Sequence, residues 1–490
     1  MNEAHEALRA AALADVGSAK AAFDPFGVQA AVHHGDLLPI ERRLTEGVFK
    51  SGRPADQAVL GLDVVAATST IAQGLNLPCD VVILAGTDRS AKDDPNGNPR
   101  KDLKPHEVLN ALGRAGRAAY AATGVAIVIP ADPIFIDPSE LNFPPISPLP
   151  IVFSEKDACS PVIDPIEQLL DHVEGSAISD PRMQGMIRRL SAVAQDGTIG
   201  FDGIARRSFG YHRRRALNED AANGWLRARR EALKAAAAAL TDLPVLNWQQ
   251  ELAVRNGVPP EIIARLDAAY DIVPGQAVTT AEWFDWLLDK CIRSASDLML
   301  IVRSGSLETV FGRAWTNTPD RTNAVAQIRS ALKVMTRMWC EGKTLVEIEA
   351  YLLAFIHAHE GEVTNRASQS ATAHRARRFA IRILPDIGFL SGLLAQVSSH
   401  RAAKEGTEVA PIVSMLQRMV KAGDHDRHHA VLRTTTQNAS RVLSLQTCNE
   451  LRHHFTAGSW DPIEAVQGDI RRALILQGFE EFGDDLEDLS

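Results

Sequence analysis

The sequence predicts an α/β domain with a mostly parallel sheet, followed by a mainly α-helical region. Three observations carry this. Short apolar runs (Val28 to His33, Leu60 to Ala67, Val81 to Leu84, Val125 to Ile129) alternate with helical patterns over the first 130 residues, as in an α/β layer. Seven prolines between Pro130 and Pro150 then break the alternation. Beyond them, alanine-rich helical patterns run almost to the end.

Composition sets the limits. At 490 residues the chain is too long for one core and implies about two to four domains. Hydrophobic content of 45% and charged content of 23% are ordinary for a globular protein, and a net charge of -9 argues against a wholly basic nucleic-acid coat protein. A local basic groove stays open. The cysteines, Cys79, Cys159, Cys291, Cys340 and Cys448, are odd in number and never form a CxxC pair, so reduced, packed thiols are expected. No apolar run reads as a membrane span, and the N-terminus lacks the basic head and apolar core of a signal peptide. A cytoplasmic protein with no membrane partner is expected.

Residues 3 to 22 form an alanine-rich helix candidate ended by Asp24-Pro25 and Gly27. The strand Val28 to His33 turns at His34-Gly35-Asp36. Pro39 opens a helix to about Lys50, with Leu44, Val48 and Phe49 on its apolar face. After a loop at Gly52 and Pro54, the strand Leu60 to Ala67 leads into Thr68-Ser69-Thr70. Val81 to Leu84 reads as a buried strand, and Asp88 to Lys104 as a polar loop. If Glu107 to Arg117 is helical, Asn110, Arg114 and Arg117 share one face built to meet an anion. Glycines cost about 1 kcal/mol each in a helix. Gly113 and Gly116 therefore imply that a backbone or a phosphate comes close. A surface helix with solvated arginines is the plain alternative. Val125 to Ile129 completes a β-α-β-β-α-β order.

Boundaries follow at 1–135 for the α/β domain, 136–160 for the proline-rich linker, and 161–245 and 246–490 for two helical regions. Arginines cluster at 188 and 189 and again at 206, 207, 213 to 215, 227, 229 and 230; those from 206 to 230 either line a nucleic-acid channel or form a solvated face paired with Glu219, Asp220 and Glu231. His33-His34 is not expected to bind metal, because strand neighbours point to opposite faces. In Asp424 to His429 a solvated loop or helix end is favoured over a chelate. Gly342-Lys343-Thr344 is no phosphate loop, since position 337 is Arg where glycine is needed.

Three blocks stand in order: Val32 to Pro39 with Glu41-Arg42-Arg43, Thr68 to Pro78, and Asn110 to Arg117. Together, over roughly residues 28 to 130, they resemble the second RecA-like motor domain of superfamily-two helicases, most closely the Ski-like branch of DExH-box enzymes. The resemblance implies that His33, His34, Thr68, Ser69 and Thr70 contact nucleic acid, DNA or RNA. It further implies that Gly74, Asn76, Asn110 and Gly113 adjoin the nucleotide, and that Arg114 and Arg117 are arginine fingers on ATP. Asn110 stands where the family usually has glutamine, with shorter reach.

No G-x-x-x-x-G-K-[ST] loop and no Asp-Glu-x-His/Asp box occurs in the sequence, and no strand precedes the His-His block. ATP and Mg2+ are therefore expected on an N-terminal motor half, supplied as a separate polypeptide partner. Without that half the chain is not expected to hydrolyse ATP. By the same resemblance residues 161–245 would be a winged-helix domain and 246–490 a helical bundle. The alternative is a non-catalytic nucleic-acid-binding or scaffold remnant of a split helicase.

Overall fold

The computed structural model describes residues 3–18, 30–51, 62–68, 79–86, 88–90, 100–103, 105–116, 123–129, 200–238, 245–270, 279–316, 321–360 and 373–478. It also describes short helical pieces at 167–168, 170–171, 186–188 and 190–191. Two compact units emerge, one of residues 1–13 and 19–162, the other of residues 14–18 and 163–490.

Apart from residues 14–16, which end α1 and count with the second unit, the first unit runs α1 (Glu3–Val16), β1 (Ala30–His33), α2 (Pro39–Ser51), β2 (Val64–Ala67), β3 (Val81–Ala85), β4 (Asp88–Ser90), β5 (Arg100–Asp102), α3 (Pro105–Leu112) and β6 (Val125–Ile129). The helix expected over 3 to 22 stops at Val16, where Gly17 takes a φ of +86°. Pro39 starts α2, and the Glu41 carboxylate accepts the Leu38 N–H at 2.9 Å, satisfying a donor the helix cannot. That fixes the helix so that Leu44 and Val48 bury against Ala31 and Leu62.

The predicted sheet resolves into smaller pieces. β1 pairs in parallel with β2, Ala30 opposite Val64 through His33 opposite Ala67. β3 pairs in parallel with β6, Val81 opposite Val125 through Ala85 opposite Ile129. Among the described residues no strand pairing joins the two pairs. The segment expected as a polar loop instead holds an antiparallel pair, Asp88 to Ser90 against Arg100 to Asp102. Leu84 packs with Leu103, Val108 and Leu112, so α3 covers one face of β3. Val81, Ile83, Val125, Ile127 and Ile129 stay about half exposed.

The second unit is helical throughout its described residues. Its core is built where Arg321–Cys340 packs on Thr280–Cys291 and Leu384–Glu405 packs on Pro411–Ala422. Cys291, Cys340 and Cys448 are buried, and burial pushes their thiols up to about 12. Residues 374–405 form one continuous helix long and apolar enough to cross a membrane, a correction to the expectation that no run could. About half of its apolar window is buried inside the unit, with Leu384, Ile387, Leu390, Leu394 and Val397 in the core. Its middle widens into a π turn, Phe379–Ile383, in which Leu384 N–H bonds to Phe379 O. Pro385 follows directly and cannot donate to the ladder, so the wide turn accommodates it.

A buried polar hub ties distant segments of this unit. The fully buried guanidinium of Arg441 lies 4.1 Å from the ring centre of Trp339, donates to Trp339 O at 2.8 Å and also bonds Lys343 O. Burial lowers its pKa to about 10. Trp339 Nε1 donates to Val420 O at 2.9 Å, and Gly423, at a φ of +77°, has Trp339 and Arg441 where a Cβ would project. Ser440 Oγ donates to Asp15 Oδ1 at 2.7 Å.

Candidate nucleotide and nucleic-acid site

The sequence-predicted residues fall at two places in the first unit. One is the end of β1 and β2. Thr68 N–H donates to His33 O at 3.2 Å, so the parallel register itself sets Thr68 beside the last residue of β1. The His33 ring turns inward, 4% exposed, and Nε2 lies 2.9 Å from Glu46 Oε1 on α2. His34 is half-buried just past the strand, and its Nδ1 accepts the Asp36 N–H at 3.2 Å. This divergence is the one expected of strand neighbours. Of the two rings, only that of His34 is turned toward solvent. Ser69, Thr70, Gly74 and Asn76 lie outside the described residues.

The second place lies at the mouth of β3. The helical reading of Glu107 to Arg117 needs correction: α3 ends at Leu112, and residues 113–116 form a turn. Gly113 N–H still reaches Leu109 O at 2.8 Å, but Arg114 and Ala115 bond only three residues back, to Ala111 O and Leu112 O. Cys79 Sγ donates to Arg114 O at 3.2 Å, Gly116 N–H donates to Cys79 O at 3.0 Å, and Cys79 and Ala115 form a parallel bridge. Asn110 is exposed on α3, while the half-buried Arg114 belongs to the turn, so the two do not share a helical face. Arg117 lies outside the described residues.

The glycine expectation is answered at Gly116. Its φ is +65°, and a Cβ there would collide with the backbone of Thr123 and Gly124, as one on Gly124 would collide with Gly116. The close neighbour is the chain entering β6, where Val125 N–H meets Asp80 O at 2.8 Å. Among the described residues no three His, Cys, Asp or Glu side chains converge to hold a metal ion.

The remaining candidates have structural roles. Asp424 to His429 is a buried helix start, not a solvated end. Asp426 caps Arg427–Thr435 by accepting the His429 N–H at 3.0 Å, and it meets Arg452 at 3.0 Å. Against burial, that N–H and Arg452 hold its carboxyl below the usual range. The His429 Nδ1 accepts the His425 N–H at 3.1 Å and Nε2 stands 2.7 Å from Ser444 Oγ. Burial drives its pKa down to about 3, so the imidazole is neutral and occupied. Thr344 and Glu347 close a capping box between Arg321–Cys340 and Leu345–Glu360, Thr344 N–H to Glu347 Oε2 at 2.8 Å and Glu347 N–H to Thr344 Oγ1 at 3.3 Å. Lys343 pairs with Glu347 at 3.3 Å, so this triplet serves a helix start.

Most of the arginine cluster is paired. Arg213 and Arg214 share Glu167, Arg229 pairs with Asp171 and Arg230 with Asp202, and Arg215 lies 3.6 Å from Glu219. Glu231 turns to Lys234. Sequence reasoning missed the Arg441 hub, whose partners carry no local signature.

A stretch of about a fifth of the chain is similar to superfamily-two DExH-box helicases of the Ski-like branch. It is 39% identical over 99 residues to the antiviral helicase SKI2 of Saccharomyces cerevisiae, which is 20% of this chain and 7% of that protein. It is 34% identical over 103 residues to the RQC trigger complex helicase SLH1 of the same yeast, 21% of this chain and 5% of the relative. With the pre-mRNA-splicing factor brr2 of Schizosaccharomyces pombe the figures are 34% over 107 residues, 22% and 4%. The chain thus spans well under a tenth of the length of these relatives. No family model matches it.

Proposed function

We propose that this protein is the C-terminal portion of an ATP-dependent nucleic-acid helicase or translocase. Its first unit would be the second RecA-like domain of a motor completed by a separate N-terminal half. The observation that carries this reading is the 39% identity over 99 residues to a DExH helicase. The three motif blocks, from Val32 to Arg117, give the match its chemistry.

In this reading Thr68, with Ser69, Thr70 and His34, grips a phosphate of the tracked strand through hydroxyls and backbone N–H groups. His33, held by Glu46, fixes the strand end that presents them. Gly74, Asn76, Asn110 and Gly113 border the nucleotide, and Arg114 and Arg117 reach its terminal phosphates as arginine fingers. Such a guanidinium stabilises charge developing on the transferred phosphoryl group. The sequence has no phosphate loop and no acidic box, so these residues do not make a nucleotide and magnesium site alone. ATP and Mg2+ would be held mainly by the N-terminal half. Residues 161–245 and 246–490 would serve as winged-helix and bundle domains guiding the strand, in the cytoplasm.

The test uses the purified chain with and without a motor half carrying a phosphate-binding loop. ATPase activity is expected only in the mixture, and Arg117→Ala should lower it by about 10³ to 10⁵ while oligonucleotide binding holds. Ordinary helicase turnover by the chain alone would sink the split motor. Equal loss of hydrolysis and binding in the variant would remove the finger role.

A further inference from the structure

The arginine-rich start of the second unit presents a face that its ion pairs do not explain. Phe209–Leu217 is capped by Ser208, whose Oγ accepts the Tyr211 N–H at 3.2 Å. Its inner side is anchored. Tyr211 is 2% exposed, and its hydroxyl donates to Asn223 Oδ1 at 3.1 Å and accepts from Arg206 at 3.2 Å. Arg214 lies 4.8 Å from the Trp225 ring centre. The outer side carries Phe209, 47% exposed, followed by His212, Arg213, Ala216 and Leu217, all exposed.

His212 and Arg213 stand three and four positions after Phe209, so they are its neighbours on one helical face. Arg207 immediately precedes the cap, is exposed, and makes no ion pair among the described residues. Glu167 is shared between Arg213 and Arg214 and can neutralise only one of them. Five arginines (206, 207, 213, 214, 215) thus face two paired acids, Glu167 and Glu219, in a chain whose net charge is -9.

We propose that this face binds single-stranded nucleic acid, with a base stacked on Phe209 and the flanking phosphates on Arg207 and Arg213. The chemistry favours this occupant. Half an aromatic ring left in water beside the exposed Arg207 and an Arg213 that shares its one carboxylate with Arg214 matches a ligand that alternates π-faces with phosphates, and stacking needs no particular sequence. A duplex keeps its bases stacked and offers Phe209 nothing. The inference rests on the nucleic-acid reading above and names, within residues 161–245, the side chains that would hold the strand.

The experiment measures anisotropy of a labelled oligouridine, and separately a blunt RNA duplex, against the full chain at several salt concentrations. Phe209→Ala should weaken single-strand binding at least about fivefold, with Phe209→Trp restoring it and duplex binding unchanged. Arg207→Gln and Arg213→Gln should each weaken binding and lower the salt slope by about 0.7. Helical circular dichroism should stay constant, since Phe209 and Arg207 lie on the surface. Oligouridine binding that survives all three substitutions overturns this site and leaves the proposed function standing. Loss in Phe209→Ala without rescue by tryptophan also overturns it. No binding by the unaltered chain overturns both.

Discussion

The two units solve the burial problem in opposite ways. Among its described residues the first leaves Val81, Ile83, Val125, Ile127 and Ile129 between 43% and 57% exposed, beside backbone ladders and packed side chains such as Leu44 and Val108. The second takes Arg441, His429 and Asp469 to full burial and surrounds them with partners. Apolar surface in water makes the first unit weakly committed to its packing, whereas buried charges make the second intolerant of losing any one contact.

The strongest way to break the contrast is Arg441→Ala. It strands Trp339 O and Lys343 O inside the unit, so denaturant unfolding of the helical signal should lose about 3–5 kcal/mol. A loss below about 1 kcal/mol would mean the hub is decoration.

Acid should act almost as strongly and on the same unit. His429 has a folded pKa of about 3 against an ordinary 6.5, so the unfolded chain takes up its proton first. Stability is then complete above 6.5 and falls by about 1.4 kcal/mol per pH unit as the pH drops toward 3. Against its burial, the N–H groups of Ala457 and Thr456 together with Arg472 hold Asp469 at about 2, which adds a further loss below the usual carboxylate range. Replacing His429 with Gln should flatten the slope between pH 6.5 and 4 in a thermal-melt series.

Gly116→Ala probes the other side. With a φ of +65° and the Gly124 backbone in the way, alanine should cost about 1–3 kcal/mol, read as faster hydrogen exchange in β3 and β6 with the helical unit unchanged. Unaltered exchange would show that the turn does not hold those strands. Thr344→Ala should give the smallest change, about 1 kcal/mol, by removing one cap in the second unit.

The same contrast governs how much of the molecule is legible in its sequence. The β6 strand and α2 are legible because five apolar residues in a row and a proline-started amphipathic turn have few other solutions. β2 is shorter than expected, beginning at Val64 after the non-strand residues 62 and 63, while the start expected for β1 at residues 28 and 29 lies outside the described residues. The β4 and β5 pair is hidden, because three-residue strands of polar and charged residues look like loop. The end of α3 is misjudged because glycine is tolerated in a helix. Only the approach of Gly124 shows that Gly116 needs a left-handed backbone. At the candidate site, no dipeptide tells which of His33 and His34 faces inward; Glu46, one helix away, decides it. The Arg441 hub is illegible for a simpler reason: Trp339 lies 102 positions away and Asp15 lies 425 positions from Ser440.

The π turn at Phe379–Ile383 works as a phase shifter. One extra residue in the coil offsets the angular setting of His374–Arg378 from that of Leu384–Glu405 by about 100°. The leading piece can then dock by Ala376 N–H on Glu349 Oε2, at 2.6 Å, while the trailing piece lays its apolar side on Pro411–Ala422. Deleting a single residue there would keep the rod helical yet force its two halves to compete for one alignment.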